Sequence, residues 1–157
     1  MNSVTRVRRI ASVVFIVAVL AVSGSAAKAD TSQVAQIKTV SGQAEIVRNG
    51  ARSSARVGDP LYEKDTIETG ADGAIGITFI DNTVMSGGPN SQIVLEDYKF
   101  NSSNFKGSML TDMNRGTVSM ISGDIARSTP GAMKVKTPTA ILGVRGTRFV
   151  IEVKDNR

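Results

Sequence analysis

The groups that could carry acid–base chemistry here are carboxylates, because the 157-residue chain contains neither histidine nor cysteine. Ser–His and Cys–His nucleophile pairs and zinc sites of the ordinary type are therefore excluded. A hydrolase would need two carboxylates to converge, one of them with a raised pKa. Turn chemistry already explains four aspartates beside Gly, Asn or Thr at predicted strand ends, namely Asp59, Asp65, Asp72 and Asp81. We expect no enzyme and no catalytic residue.

Metal and cofactor binding lack a matching pattern as well. Asp72-Gly73 and Asp81-Asn82 do not repeat with the dense D-x-D-x-D spacing of calcium loops. We therefore expect no metal site and no cofactor.

The segment Gly143–Arg148, GVRGTR, superficially resembles a phosphate loop. Its glycines are three apart, no lysine follows, and the continuation alternates as a strand does, so it does not fit one. Arg145, with Thr147, remains a candidate to bind an anionic ligand. The favoured alternative is that Arg145 pairs with a strand-end carboxylate such as Asp65 or Asp59, because an unpaired guanidinium in an apolar stretch is costly to bury.

The first 29 residues have the order of a secretory signal peptide. Arginines precede an apolar run from Ile10 to Val22, and Ala27-Lys28-Ala29 forms an A-x-A cleavage site. A run of 13 residues is short of the roughly 20 that a spanning helix needs. The sequence predicts a helical signal peptide over 1–29, cleaved between Ala29 and Asp30, with one domain over 30–157. An uncleaved leader anchored in the inner membrane is the alternative.

The basic balance of the chain comes from this leader. It holds four of the 19 basic residues and none of the 14 acidic ones, which leaves 15 and 14 in residues 30–157 and a net charge of +1. Only six aromatic residues remain there for stacking on bases. We expect no nucleic-acid partner.

Alternation of apolar residues with period two dominates the rest of the chain. Ile75, Ile77 and Phe79 share one predicted strand face, and Asn49-Gly50 predicts a tight hairpin. Four more segments place these pairs inward: Ala44 and Ile46, Ile93 and Leu95, Val118 and Met120, Met133 and Val135. Phe149, Ile151 and Val153 do so in the last strand.

The segments DTIET and AIGITFI, joined by Gly70–Gly73, are predicted to meet as a hairpin. Asn101–Ser108 and Ser128–Ala132 are the predicted mobile loops. With eight to ten short strands and no convincing amphipathic helix, we expect an all-β fold, a single antiparallel sandwich of jelly-roll type. A short β-roll or solenoid is the alternative.

Four stretches in order resemble the FecR domain family, the periplasmic module of ferric-citrate-type regulators. They are 57–83 (VGDPLYEKDTIETGADGAIGITFIDNT), 89–96 (PNSQIVLE), 115–119 (RGTVS) and 137–153 (TPTAILGVRGTRFVIEV). The resemblance implies a jelly-roll β-sandwich in the periplasm or on the cell surface. It also implies that GVRGTR closes the fold.

The resemblance implies a signalling role in one branch of the family, where a receptor's state is passed to a sigma factor. Nine residues precede the apolar run and four follow Val153. We therefore expect neither the cytoplasmic anti-sigma segment nor the C-terminal region that meets a receptor.

The expected function is that of an exported, periplasmic or secreted, non-enzymatic module. It binds an envelope protein or polymer and has no stable membrane span once the leader is cleaved. Edge strands offer β-augmentation as its mechanism. The alternative is a periplasmic sensory component of a signal-transduction or iron-uptake regulatory system, working in trans.

The cleavage expectation has a direct test. N-terminal sequencing of the protein recovered from the cell envelope is expected to begin at Asp30. A sequence beginning at Met1 would contradict secretion and favour the anchor.

Overall fold

The computed structural model describes residues 32–146 and 148–154, so the leader, its cleavage site at Ala29 and Asp30, and Thr147 lie outside the described residues. The described part confirms the all-β expectation. Its strands are β1 (Gln33–Ser41), β2 (Ala44–Arg48), β3 (Ala51–Ser54), β4 (Pro60–Tyr62), β5 (Thr66–Thr69), β6 (Ala74–Phe79), β7 (Val84–Gly87), β8 (Gln92–Asn101), β9 (Lys106–Ile121), β10 (Met133–Lys136), β11 (Ile141–Val144) and β12 (Arg148–Val153). One short helix, α1 (Asp124–Ser128), follows β9.

Strand β9 belongs to two sheets at once. Along Lys106–Arg115 it pairs with β8 and, in parallel, with β10, within the order β3-β2-β5-β8-β9-β10-β11. Along Gly116–Ile121 it pairs with β7 and β12, within the order β4-β1-β6-β7-β9-β12. All strand pairs except β9 with β10 are antiparallel.

The two halves of β9 cannot lie on one straight line. Val144 of β11 pairs with Met133 of β10, which pairs with Met109 of β9. Arg148 of β12 pairs with Ile121, at the other end of β9. Four Cα–Cα steps from Val144 to Arg148 span at most about 15 Å, while a straight strand from Met109 to Ile121 would be about 40 Å long. The strand bends, and the sheet curls into an open half-barrel. The jelly-roll path stays a prediction.

The bend is at Gly116, whose φ of +92° favours glycine. A Cβ atom there would lie 2.3 Å from the Ser91 Oγ and 2.4 Å from the Ser91 Cα. The Ser91 hydroxyl donates to the carbonyl oxygen of Thr117 and accepts from its N–H, both at 3.1 Å. Next to it, the pairing register of β8 and β9 shifts between Gln92 and Ile93, which adds the local bend of a bulge.

One cluster of buried side chains fills the space inside the curl. The predicted inward residues of β2, β6, β8, β9 and β10 are all buried in it, and those of β12 pack against it: Ala44, Ile46, Ile75, Ile77, Phe79, Ile93, Leu95, Val118, Met120, Met133, Val135, and then Phe149, Ile151 and Val153. The Asn49-Gly50 hairpin is confirmed, with φ values of 51° and 81°.

The predicted hairpin of DTIET with AIGITFI is wrong. β5 pairs with β2 and β8, whereas β6 pairs with β1 and β7. The turn between them passes from one sheet to the other, as does the β1–β2 connection, and the N–H of Gly70 donates to the carbonyl of Gln43 at 2.8 Å where the two connections meet. Alternation specifies which face of a strand is buried, and it leaves the neighbouring strand unspecified.

Two local expectations are corrected. The loop predicted over Asn101–Ser108 is shorter, because β8 includes Asn101 and β9 begins at Lys106. The loop predicted over Ser128–Ala132 begins one residue later, because Ser128 is the last residue of α1. α1 has only five residues, too few to show helical periodicity, and the burial of Ile125 and Ala126 holds it on the core.

The bend at Gly116 generates a stability prediction. Gly116→Ala should lower the free energy of unfolding by about 3 kcal/mol, because backbone strain adds to a clash with Ser91. Gly131→Ala is the matched control, since Gly131 has a similar φ of +84° but a Cβ atom there would have nothing within 4 Å, and it should cost about 1 kcal/mol. Urea unfolding followed by circular dichroism measures both. Equal losses would contradict the close approach at the bend.

Candidate interaction site

The four candidate aspartates do not converge, and each has a role in the backbone. Asp59 accepts the N–H of Arg56 at 2.9 Å, and Asp72 accepts the N–H of Gln43 at 3.3 Å. Asp65 and Asp81 are almost completely buried, each in its own network. The turn interpretation is confirmed for all four.

Asp81 joins three parts of the chain, namely the β6–β7 turn, β8 and the start of α1. Its carboxylate accepts the Thr83 hydroxyl at 2.8 Å, the Tyr98 hydroxyl at 3.1 Å and the N–H of Ile125 at 3.4 Å. Burial, together with the charge of Asp81, raises the pKa of Tyr98 far above its usual range, so this phenol stays a neutral donor. The network fixes the start of α1 against the β6–β7 turn.

Asp65 has a partner that the sequence did not indicate. Arg48 grips its carboxylate with two hydrogen bonds, Nε to Oδ1 at 2.7 Å and Nη2 to Oδ2 at 2.8 Å, and the N–H of Tyr62 adds a third at 2.9 Å. The guanidinium lies 4.4 Å from the centre of the Tyr62 ring. The hydrogen bonds to Asp65 raise the pKa of Arg48 although partial burial opposes them.

The favoured interpretation of Arg145 is therefore wrong. Arg145 is exposed, and within residues 32–146 and 148–154 it forms neither a hydrogen bond nor an ion pair. Asp65 is occupied by Arg48, and Asp59 binds a backbone N–H. Arg48 was missed because it stands beside the Asn49-Gly50 turn, where an arginine normally points into solvent. The only signal for it was a carboxylate 17 positions later.

The open side of the half-barrel lies between β11 and β12. Among the described strands, β11 pairs only with β10 and β12 pairs only with β9, so each has one free edge. Two adjoining depressions, of about 440 and about 250 Å³, share Leu142 and Ile151 in their walls. Together they form one groove, which we call the open-side groove.

The open-side groove has an apolar wall and a charged rim. Leu142, Phe149 and Ile151 contribute apolar surface, while Arg145 and Lys154 line its two parts. The exposed side chains of Ile141 and Val150 extend the apolar surface along the two strands. Such a groove beside unpaired backbone groups can take an extended segment of another chain.

A smaller polar notch of about 100 Å³ lies elsewhere, between Gln43, Glu45, Glu68 and Arg115. Its carboxylates are already engaged, because Arg52 contacts both Glu45 and Glu68. Hydrogen bonds from Arg52 and Gln92 lower the pKa of Glu68. In residues 32–146 and 148–154, no three acidic, cysteine or histidine side chains come close enough together to hold a metal ion.

The fold and the open-side groove define an all-β module with exposed strand edges. A family model described as FecR protein matches residues 65–157, more than half of the chain. The chain belongs to the FecR family, and the resemblance in the sequence is confirmed. The matched region includes β9 with its bend and both sides of the groove. Comparison with curated proteins and with solved structures gave no match.

Members of this family are typically associated with the cell envelope. No helix in the described part of the chain has the length and apolar character needed to cross a membrane.

The paired Arg48 and the exposed Arg145 lead to different predictions for stability. Asp65→Ala should cost about 3 kcal/mol of unfolding free energy, because it removes a buried acceptor from Arg48 and from the Tyr62 backbone. Arg145→Ala should change it by less than about 0.5 kcal/mol. Because the chain has no tryptophan, far-UV circular dichroism in urea is the suitable readout. A large loss for Arg145→Ala would restore its role in closing the fold.

Proposed function

We propose that this protein is a non-enzymatic interaction module of the bacterial cell envelope, exported through its leader, which binds a partner at the open-side groove. The single observation that carries the proposal is the combination of two free strand edges with a groove between them that has an apolar wall. A partner strand could satisfy the unpaired backbone groups of one edge and bury side chains in the groove.

The environment of the ionisable residues supports binding over catalysis. Asp65 and Asp81 are enclosed and saturated with donors, so neither can take a proton from a substrate. The groove itself presents cations and apolar side chains, with Glu152 as the acidic side chain in its lining. A single exposed carboxylate does not make the acid–base pair that hydrolysis requires.

A sensory role in trans is the second candidate. Membership of the FecR family favours it, because these domains are typically periplasmic sensors in signal transduction. Both candidates use the same groove, and they differ in the partner. A receptor or regulator as the bound component would favour the sensor, whereas an envelope polymer or structural protein would favour the scaffold.

A capture experiment tests the proposed site. The chain purified from the expressing bacterium is immobilised and exposed to solubilised envelope, and Leu142→Glu is compared with the wild type. We expect the variant to lose the captured component, because a carboxylate would be desolvated in the apolar wall shared by both depressions.

Val57→Glu is the matched control. Val57 is also apolar and is 65% exposed, but it lies in the segment between β3 and β4 and does not line the groove. It should retain the captured component at the wild-type level. If both variants retain it, or both lose it while folded, the groove is not the binding site.

A further inference from the structure

The free edge of β12 is longer than the other free strand edges among the described residues, and it has neither a proline nor a bulge. The other outermost strands are short or interrupted: β4 has three residues and begins with a proline, β3 has four residues, and β11 has four including a glycine. β12 has six residues and pairs with β9 in unbroken register. Val150, at 64% exposure, stands near its centre.

Two charges on β12 lack partners among the described residues. Arg148 and Glu152 lie on the outer face with Val150, and neither forms an ion pair or a hydrogen bond with the part of the chain that the structure describes. Four residues along a strand are about 13 Å apart, too far for the two side chains to meet each other. Their neighbours on β9, Ile121 and Thr117, are uncharged.

We propose that β12 pairs antiparallel with β12 of a second copy of this chain, with Val150 on the two-fold axis. In this register Arg148 of each copy stands opposite Glu152 of the other, and the two contacts are equivalent by symmetry. Val150 meets Val150 on the same face, and Phe149 meets Ile151 on the inner face. Cross-strand pairs of this kind are the units that stabilise sheets.

The sequence of β12 selects this register over its neighbours. A shift of one residue would place inward side chains opposite outward ones. A shift to the register centred on Ile151 would set Glu152 against Val150 and leave Arg148 without a partner. Arg148 and Glu152 are each two residues from Val150. A second copy of β12 can therefore pair with both charges.

This inference goes beyond the proposed function, because it adds a second copy of the chain at one edge of the open side. The second β12 would lie along the edge that borders the open-side groove, where Phe149 and Ile151 line the wall. Five paired residues on each strand make a small interface, so we expect a weak dimer with a micromolar dissociation constant rather than a permanent one. The free edge of β11 would remain available on each copy.

Sedimentation velocity tests the pairing, with the chain purified from the expressing bacterium at about 1 to 200 µM, the range in which such weak complexes form. The wild type is expected to shift from monomer to dimer. Arg148→Glu and Glu152→Arg each place like charges opposite each other twice, and each should weaken the dimer at least about tenfold. Circular dichroism confirms that both variants are folded.

A mixture of the two variants tests the register most directly. One then presents two acidic and the other two basic side chains, so a heterodimer regains both ion pairs and should form at the wild-type concentration. A wild type that is monomeric at every concentration overturns the pairing, as do single variants that dimerise normally or a mixture that fails to recover. In the first case, loss of envelope capture by Leu142→Glu would leave the proposed function intact. A dimer with unaffected capture would instead refute the proposed function alone.

Discussion

The close contact of Gly116 with Ser91 is the constraint on which the rest of the structure depends. It lets β9 bend and pair in both sheets, so that the two sheets share one strand and enclose one core. β7, the segment after it and β8 follow one edge of β9 as a continuous stretch. β10 and β12 must therefore take the other edge, on opposite sides of the bend. The open side between β11 and β12 follows from that arrangement.

Local pattern was sufficient to predict which residues are buried. Ile75, Ile77 and Phe79 lie inside as their alternation indicated, and Asn49-Gly50 forms its hairpin because both residues accept positive φ. The alternation of apolar residues was not sufficient to predict which strands pair with each other. DTIET and AIGITFI have the sequence of a hairpin, yet they pair with different strands, because neighbours are decided by packing across the whole core.

The site was harder to predict than the fold for the same reason. Asp59, Asp65 and Asp81 were identified as turn residues because each accepts a backbone N–H within three residues, as Asp59 does from Arg56. The pair of Arg48 with Asp65 joins residues brought together only by the hairpin and by the β2–β5 ladder. Arg145 was assigned a buried role because its flanks are apolar. Val144 is indeed buried, but Ile141, Leu142 and Val150 are exposed at the open side, as Arg145 is. The open-side groove depends on the curvature of the whole sheet, which no short sequence motif indicates.

Hydrogen exchange at the β12 amides tests most directly whether β12, at the open side of this FecR-family domain, has a free edge that pairs with a partner strand. At low protein concentration the β12 amides should exchange faster than those of β9, which has pairing partners on both edges. At high concentration β12 should become protected while β9 stays unchanged. Exchange of β12 that is slow at low concentration, or that does not depend on concentration, would contradict a free β12 edge that pairs with a second strand.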